Sequence, residues 1–533
     1  MSRESFSYMD LVIRNGRIFD GNGNPWFRGD VGVEGKRIVG VGDLHECNAD
    51  RVIDANDLAV TPGFIDIHNH SDIPLMVSGR AESMVHQGVT TMITGNCGNS
   101  PFPLIGDARI DAVKSLGTLY GLDVDWSTMK EYGDRLIRQG ISVNTGLYVG
   151  HGTTRNAVMG LEDRVSTPPE MEKMKTLVRQ AMEEGCFGLS TGLGYSPGMY
   201  AETEEIIELC KVVAKYGGLY STHGRPAHTF PLNIQEAMEI GERAEIPVQM
   251  AHIGSSTCQK QNWGKSRSVT LNLVDAARAR GIDFTADIYP YTISGGGLTM
   301  YVPEWAQEGG NDTMLKRLAD LDQRAKMRSE VEEMVRHRDW SQLLLYGLTS
   351  ERYRKYIGKT VQEIADTLGV DPFDLVCDII IREGGRAPFM GIFGLEQDIK
   401  TLLRHEAVMV GSDGTAMAPG GPLRGGVTHP RNYGTFARVI GKYVGEGVLS
   451  LTNAIHKMTG MPAWRLGLQD RGVIKPGACA DIVVFDPFRV KDNYTMTEPP
   501  SFPEGFHFVI VNGVITVEEG RHTGAIAGEV LHK

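Results

Sequence analysis

Short apolar segments alternate with amphipathic helical stretches through the middle of the chain. Eight apolar segments of strand length recur, at residues 63–70, 89–96, 142–150, 186–192, 218–223, 248–252, 283–289 and 407–413. Strands that alternate with helices in this way form parallel sheets. The pattern therefore predicts an α/β fold, a (β/α)8 barrel of the TIM type, over residues 63–469.

Both ends of the chain have a different pattern. Residues 10–61 contain short strands of alternating apolar and polar positions separated by Asn-Gly and other glycine turns, and residues 480–485 and 508–515 are similar. Such segments are typical of small antiparallel β-domains. We therefore expect the two termini, residues 1–62 and 470–533, to pair into one small β-sandwich domain.

The alternation is interrupted after the seventh predicted strand. Residues 293–345 begin with a glycine-rich segment, Ser294 to Gly297, and continue as a charged, helical stretch. Insertions at the carboxyl ends of barrel strands often cover the active site. We expect a lid here, hinged at the glycines; the alternative is a helical excursion on the surface.

Composition and charge exclude several classes of partner. The formal charge is −12 over 533 residues, and neither lysine nor arginine forms a run that could neutralise phosphates, so nucleic acid and anionic membranes are not expected. No basic leader precedes an apolar core, and no apolar stretch reaches the length of a membrane span. The seven scattered cysteines suit a reducing compartment. We expect a cytoplasmic protein with a small-molecule substrate, and leave its oligomeric state open, a homo-oligomer included.

Side chains of the types that bind metal ions lie at the ends of five predicted strands. Because side chains alternate along a strand, both histidines of the first strand project to the same side. The candidate ligands are His68, His70, Cys97, His223, His252 and Asp413. Nitrogen, thiolate and carboxylate donors together suit zinc, with iron, manganese and cobalt as alternatives. One ion is the simplest interpretation, although Cys97 could bridge two.

Asp413 has a second potential role. A carboxylate beside an activated water can take its proton and deliver it to a departing amine, so Asp413 is the candidate general acid/base of a hydrolysis. Three other histidines, His86, His151 and His228, do not fall at the ends of predicted strands. We interpret them as structural residues.

Several motifs resemble those of one family. They are residues 62–72 (PGFIDIHNHSD), 95–98 (GNCG), 190–195 (STGLGY), 287–291 (DIYPY), 411–414 (GSDG) and 429–436 (HPRNYGTF). With them the chain resembles the amidohydrolase superfamily, and within it the N-acyl-D-amino-acid deacylase (D-aminoacylase) family, along nearly its whole length.

The resemblance implies specific roles for these residues. Cys97, His223 and His252 would hold one tightly bound zinc ion, while His68, His70 and Asp413 would complete a second, weaker position. It also implies that Arg431, Tyr195 and Tyr289 bind the substrate carboxylate, for which a guanidinium offers a bidentate fork.

The expected reaction is zinc-dependent hydrolysis of an N-acyl-D-amino acid, or a related small N-acyl compound, to a carboxylate and a free amine. One departure concerns the substrate: many family members have a lysine two positions after the strand-six histidine, where this chain has Gly254. Lys260 or Lys265 could substitute, or the substrate could lack a free α-carboxylate. A cyclic-amide hydrolase of the hydantoinase or dihydroorotase type, and a non-catalytic barrel scaffold, are the alternatives.

Overall fold

The computed structural model describes residues 8–225, 231–253, 263–335, 340–392, 394–424, 428–493 and 501–533. The strands are β1 (Met9–Ile18), β2 (Phe27–Glu34), β3 (Arg37–Gly42), β4 (Ala49–Asp54), β5 (Ala59–Pro62), β6 (Phe64–Asp66), β7 (Val89–Thr94), β8 (Asn144–Gly150), β9 (Gly188–Gly192), β10 (Leu219–His223), β11 (Val248–Met250), β12 (Phe284–Ile288), β13 (Ile293–Gly297), β14 (Leu344–Leu345), β15 (Pro388–Ile392), β16 (Val408–Val410), β17 (Ile482–Phe485), β18 (Phe506–Val511), β19 (Val514–Glu518) and β20 (Arg521–His522).

The α-helices are α1 (Asp72–Val77), α2 (Glu82–Val85), α3 (Gly106–Tyr120), α4 (Met129–Gln139), α5 (His151–Met159), α6 (Pro168–Glu183), α7 (Thr203–Ala214), α8 (Leu232–Ala244), α9 (Asn272–Ala279), α10 (Glu304–Gln307), α11 (Asn311–Ala319), α12 (Leu321–Val335), α13 (Val361–Leu368), α14 (Pro372–Arg382), α15 (Glu396–Arg404), α16 (Arg431–Arg438), α17 (Leu451–Met458) and α18 (Gly460–Leu466). Within the described ranges, none of these helices combines the length and the apolar character that a bilayer span requires.

Eight parallel strands form the barrel, in the order β16-β12-β11-β10-β9-β8-β7-β6. Each lies within a range that the sequence predicts as a strand, so the predicted (β/α)8 fold is confirmed. The barrel closes between its first and last strands at their carboxyl ends. There Asp413 N donates to His68 O at 2.8 Å, and His70 N donates to Gly414 O at 2.8 Å. This closure brings two of the predicted ligand segments together.

The interior of the barrel is filled by large apolar side chains. Ile65, Ile93, Tyr148, Phe187 and Met409 form part of one buried cluster, and each buried side chain of this size stabilises the fold by about 1.5–3 kcal/mol. Leu531 from the C-terminal segment belongs to the same cluster. The barrel is therefore a packed core at one end, which confines the polar site to the carboxyl ends of the strands.

Strands from both termini form one continuous nine-stranded sheet, as the sequence predicts for a joint terminal β-domain. It is mainly antiparallel, with β4 and β5 parallel to β1. N- and C-terminal strands meet where Val60 of β5 pairs with Val484 of β17. The sheet encloses its own apolar core, to which both termini contribute, including Ile13, Val33 and Ile510.

The segment between the seventh and eighth barrel strands is larger than predicted. Its elements continue to Ile392, beyond the expected end near residue 345, because β13 pairs with β15 in a three-stranded antiparallel sheet. This insertion has its own buried core, including Leu298 and Phe373. The glycine-rich segment Ser294 to Gly297, interpreted as a hinge, lies within strand β13. A Cβ on Gly296 would lie 2.5 Å from Sδ of Met300, a flexible side chain that would have to shift.

A buried ion pair joins two helices of the outer layer. Arg155 of α5 donates to Glu205 of α7 at 2.8 and 2.6 Å, and His151 Nε2 lies 2.9 Å from the same carboxylate. Burial alone would raise the pKa of Glu205, but His151 and Arg155 lower it to about 2. The carboxylate therefore stabilises the fold at pH values above its ordinary pKa, and this stabilisation is lost as the pH falls towards about 2.

We expect Glu205→Gln to lower the free energy of unfolding by about 3–5 kcal/mol at pH 7, because Arg155 would be left buried without a counter-charge. The difference from the wild type should shrink between about pH 4.5 and pH 2, as the wild-type carboxylate becomes protonated. Urea denaturation of both proteins over this pH range measures this difference in the free energy of unfolding. A difference independent of pH would show that the charge of Glu205 contributes nothing to stability.

Candidate active site

The predicted ligands lie at the carboxyl ends of the barrel strands, where three of them occupy left-handed backbone. The φ angles are 51° at Cys97, 32° at His252 and 49° at Asp413. Side chains other than glycine adopt this region rarely, and it is concentrated at functional sites, where surrounding contacts hold the backbone. These turns aim the three side chains at one point above the barrel.

Cys97 is at the centre of the cluster. Its Sγ lies 3.4 Å from His68 Nε2, 3.7 Å from His252 Nε2 and 3.9 Å from His223 Nδ1. The two last nitrogens, on His223 and His252, are 2.8 Å apart. The structure thus brings three of the predicted histidine ligands into contact with one sulfur atom, that of Cys97.

Asp413 joins the same cluster from the last strand. Its Oδ1 lies 3.0 Å from His70 Nε2 and 3.4 Å from His68 Nε2. The donor atoms of His68, Cys97, His252 and Asp413 all lie within 4.8 Å of one another. His223 contacts this group through Cys97, and His70 contacts it through Asp413, so all the predicted ligands converge.

The charges of the cluster match what a zinc site needs. Burial alone would raise the pKa of Cys97, but the charge of His68 and hydrogen bonds from His223 and His252 lower it well below that of a free thiol. Thiolate is the form that binds metal. Nitrogen, thiolate and carboxylate donors at this spacing fit zinc, and soft sulfur disfavours magnesium and calcium.

Arg431, predicted to bind a substrate carboxylate, lies directly beside Asp413. Its Nη1 donates a short hydrogen bond to Asp413 Oδ2. Burial alone would raise the pKa of Asp413, but Arg431 and His252 lower it well below its ordinary value. Arg431 Nε is buried and has no hydrogen-bond partner among the residues that the structure describes. The guanidinium therefore keeps one donor that none of the described residues uses.

The two predicted tyrosines flank this cation and the cluster. The guanidinium of Arg431 lies 5.1 Å from the ring centroid of Tyr289, and the ring of Tyr195 lies 4.7 Å from that of His223. Burial raises the pKa of a third tyrosine, Tyr346 of the insertion, and the charge of Arg431 opposes that rise. Aromatic side chains from the barrel and the insertion thus lie near Arg431.

Sequence analysis assigned no role to two residues that order this site. Asp287 Oδ1 accepts a hydrogen bond from His252 N at 2.8 Å and lies 3.2 Å from His68 Nδ1; Asp287 belongs to the 287–291 motif, which is the signal that could have found it. His429 belongs to the arginine motif: its Nδ1 accepts from Arg431 N at 3.1 Å, and its Nε2 lies 3.0 Å from Ile293 O of the insertion. His429 therefore links Arg431 to the base of the insertion.

The remaining candidates lie elsewhere. His86 Nδ1 hydrogen-bonds to Glu82 O at 2.7 Å, and His151 contacts Glu205, so neither joins the cluster. Lys265 is exposed. Three of the residues named above lie outside the described residues. They are His228, and Gly254 and Lys260, which bear on the lysine that this chain lacks after the strand-six histidine.

Comparison with known proteins gives consistent matches along the whole chain. The profile of the amidohydrolase family matches residues 51–517. D-aminoacylase of Alcaligenes xylosoxydans xylosoxydans is 34% identical over 538 residues, which cover 100% of this chain and 99% of that protein. N-acyl-D-glutamate deacylase of the same organism is 34% identical over 511 residues, which cover 95% of this chain and 93% of that protein.

A solved structure matches equally well. It is N-acyl-D-glutamate deacylase from Bordetella bronchiseptica, complexed with zinc and a phosphonate inhibitor that mimics the tetrahedral intermediate. The TM-score is 0.81 at 30% sequence identity, over 99% of this chain and 100% of that chain.

Proposed function

The chain belongs to the amidohydrolase family, and from that premise we propose that it is a zinc-dependent hydrolase of N-acyl-D-amino acids or related small N-acyl compounds. The products are a carboxylate and a free amine. The D configuration is supported by the activities named for the relatives, D-aminoacylase and N-acyl-D-glutamate deacylase.

The converging donors would hold the metal. Cys97, His223 and His252 would form the tight zinc position, and His68, His70 and Asp413 would complete a second, weaker one. When bound, zinc supplies Lewis-acid chemistry: it polarises a carbonyl and makes water a stronger acid near neutral pH.

Asp413 would carry the proton. An ionised carboxylate accepts a proton as water attacks the amide carbonyl, and the same group then delivers it to the nitrogen that leaves. Hydrogen bonding to His70 and Arg431 holds the carboxylate in place. Within the group formed by His68, Cys97, His252 and Asp413, the last is the carboxylate.

The proposed substrate class is inferred from one observation, the ion pair between Asp413 and Arg431. In an N-acyl amino acid the scissile nitrogen and the carboxylate are attached to the same carbon atom. A site for such a substrate therefore needs its carboxylate-binding cation next to its proton carrier. Arg431 meets that requirement, with Tyr289 and Tyr195 as the flanking aromatic residues.

A cyclic-amide hydrolase remains the rival within the same superfamily. Those relatives usually bridge their metals with a carboxylated lysine, whereas this chain has Cys97 at the centre of its cluster. Product analysis separates the two proposals. Hydrolysis of a linear N-acyl substrate releases a separate acid, while opening of a hydantoin releases none; ring opening alone would contradict our proposal.

We expect Arg431→Lys to reduce kcat/KM for N-acyl-D-amino acids by about 10- to 100-fold, because lysine offers no bidentate fork and a hydrogen bond to a charged group contributes about 1.5–3 kcal/mol. For substrates whose carboxylate is capped as an amide, kcat/KM should fall much less in this variant. Steady-state kinetics on matched free and capped substrates measures this selectivity.

Arg438→Lys is the matched control. Arg438 lies on the same helix, α16, but it donates to Pro290 O and Asp492 rather than to Asp413. We expect Arg438→Lys to have the same ratio of kcat/KM on free and capped substrates as the wild type. Equal losses on free and capped substrates in Arg431→Lys would contradict the carboxylate-binding role.

The cytoplasmic location and the oligomeric state remain predictions from the sequence, as does the role of the insertion as a lid. One contact supports a lid. His429 Nε2 lies 3.0 Å from Ile293 O at the start of the insertion.

A further inference from the structure

Asp287 is a buried carboxylate directly beneath the proposed metal ligands. It lies on strand β12 and is 1% exposed. Its Oδ1 lies 3.2 Å from His68 Nδ1 and accepts from His252 N at 2.8 Å. Its Oδ2 accepts from Gln249 Nε2 at 2.8 Å. One carboxylate therefore connects the first, sixth and seventh barrel strands.

The contact with His68 determines which ring nitrogen faces the cluster. The Asp287 carboxylate lies 3.2 Å from His68 Nδ1 at an angle that does not make a hydrogen bond, and its negative charge favours the tautomer with the proton on Nδ1. Nε2 of His68 then presents its lone pair on the opposite side of the ring. That is the side on which Cys97 Sγ lies, at 3.4 Å.

The contact with His252 acts on the backbone. His252 has a φ of 32°, which a side chain other than glycine adopts only when its surroundings hold it. Its amide donates to Asp287 Oδ1, and the following amide, of Ile253, donates to Asp287 O at 2.9 Å. The carboxylate and backbone of a single residue thus hold the turn that aims His252 at Cys97.

We propose that Asp287 is a positioning residue for the metal site: it fixes the donor nitrogen of His68 and the turn at His252, and so preorganises both ligands. This inference rests on the proposed metal site. Residues that orient ligating histidines in this way contribute about 10- to 100-fold to metal affinity. Gln249 supports the arrangement, because it occupies the second carboxylate oxygen.

The test measures cobalt binding, since a cobalt–thiolate bond gives a charge-transfer absorption band that reports on Cys97 directly. Metal-free wild type and Asp287→Asn are titrated with Co²⁺ against a competing chelator. We expect Asp287→Asn to bind Co²⁺ about 10- to 100-fold more weakly and to shift the band. Far-UV circular dichroism and the melting temperature of both metal-free proteins are recorded alongside.

Asp30→Asn is the matched control. Asp30 is also a buried carboxylate, 7% exposed, and it accepts from Asn15 N and Leu44 N in the terminal sheet, away from the cluster. A merely structural role predicts the same behaviour for both variants, namely a lower melting temperature with unchanged Co²⁺ affinity. Wild-type affinity and an unshifted band in a folded Asp287→Asn would overturn the inference.

Two further outcomes are distinguishable. If Asp287→Asn does not fold, Gln249→Met replaces it: that variant removes the donor to Asp287 Oδ2, together with the acceptor of Thr285 Oγ1, and leaves the Asp287 carboxylate in place. We expect a smaller loss of Co²⁺ affinity in the same direction. Unchanged affinity there would also overturn the inference. If the wild type shows no cobalt–thiolate band, the proposed metal site itself is wrong, and the role of Asp287 is contradicted with it.

Discussion

Asp413→Asn is expected to lower kcat by about 10²- to 10⁴-fold, the usual contribution of a general acid/base. An amide cannot take the proton of the attacking water, nor return it to the departing amine. Oδ1 of asparagine can still contact His70, so most of the metal should stay bound. Steady-state kinetics on an N-acetyl-D-amino acid, with metal content measured on the same sample, gives both quantities.

Asp30→Asn serves as the control for this variant as well, since it makes the same substitution at a buried carboxylate of the terminal sheet. Its kcat should equal that of the wild type. If Asp413→Asn retained wild-type kcat with its metal bound, another group would have to move the proton, and the proposed role of Asp413 would be wrong.

The second large effect concerns Cys97. In Cys97→Ser a neutral hydroxyl replaces the thiolate, and because a ligand itself is lost, zinc affinity should fall by more than the 10- to 100-fold typical of residues that only orient ligands. Hydrolysis should then fall to background at limiting zinc, and excess zinc should restore it only in part. Zinc titration and activity on the same samples measure both effects.

Cys47→Ser is the matched control, because Cys47 is a free, half-buried thiol in the N-terminal part of the chain. The Cys47→Ser variant should have the zinc affinity and the kcat of the wild type. Unchanged zinc affinity in Cys97→Ser would contradict the assignment of Cys97 as a ligand.

The barrel and its donors could be predicted from sequence because both depend on local regularities. Alternating apolar segments mark the strands, and in a barrel the carboxyl ends of all strands meet at one face. His68 and His70 share a side because of the strand period. Cys97 and Asp413 could therefore be assigned to one site although 316 positions separate them in the sequence.

The rest depends on tertiary contacts without a sequence period. The pairing of β13 with β15 joins segments about a hundred residues apart, so the true end of the insertion was not visible in the local pattern. His429 meets Ile293 O of the insertion although 136 positions separate them in the sequence. The ion pair between Arg431 and Asp413 joins residues 18 positions apart, one after the last barrel strand and the other at the start of α16.

Asp287 illustrates a different difficulty. The motif that contains it was recognised, but a carboxylate on a buried strand could equally have been a ligand or a structural residue. Its contacts with the ring of His68 and the amide of His252 distinguish these roles.

The most direct test of the proposed activity is amine release by the zinc-loaded protein from matched N-acetyl-D- and N-acetyl-L-amino acids. Our account predicts free amino acid and acetate from the D series, none from the L series, and loss of both products when the metal is removed by a chelator. Cleavage confined to capped or cyclic amides, with the N-acetyl-D-amino acids untouched, would contradict it.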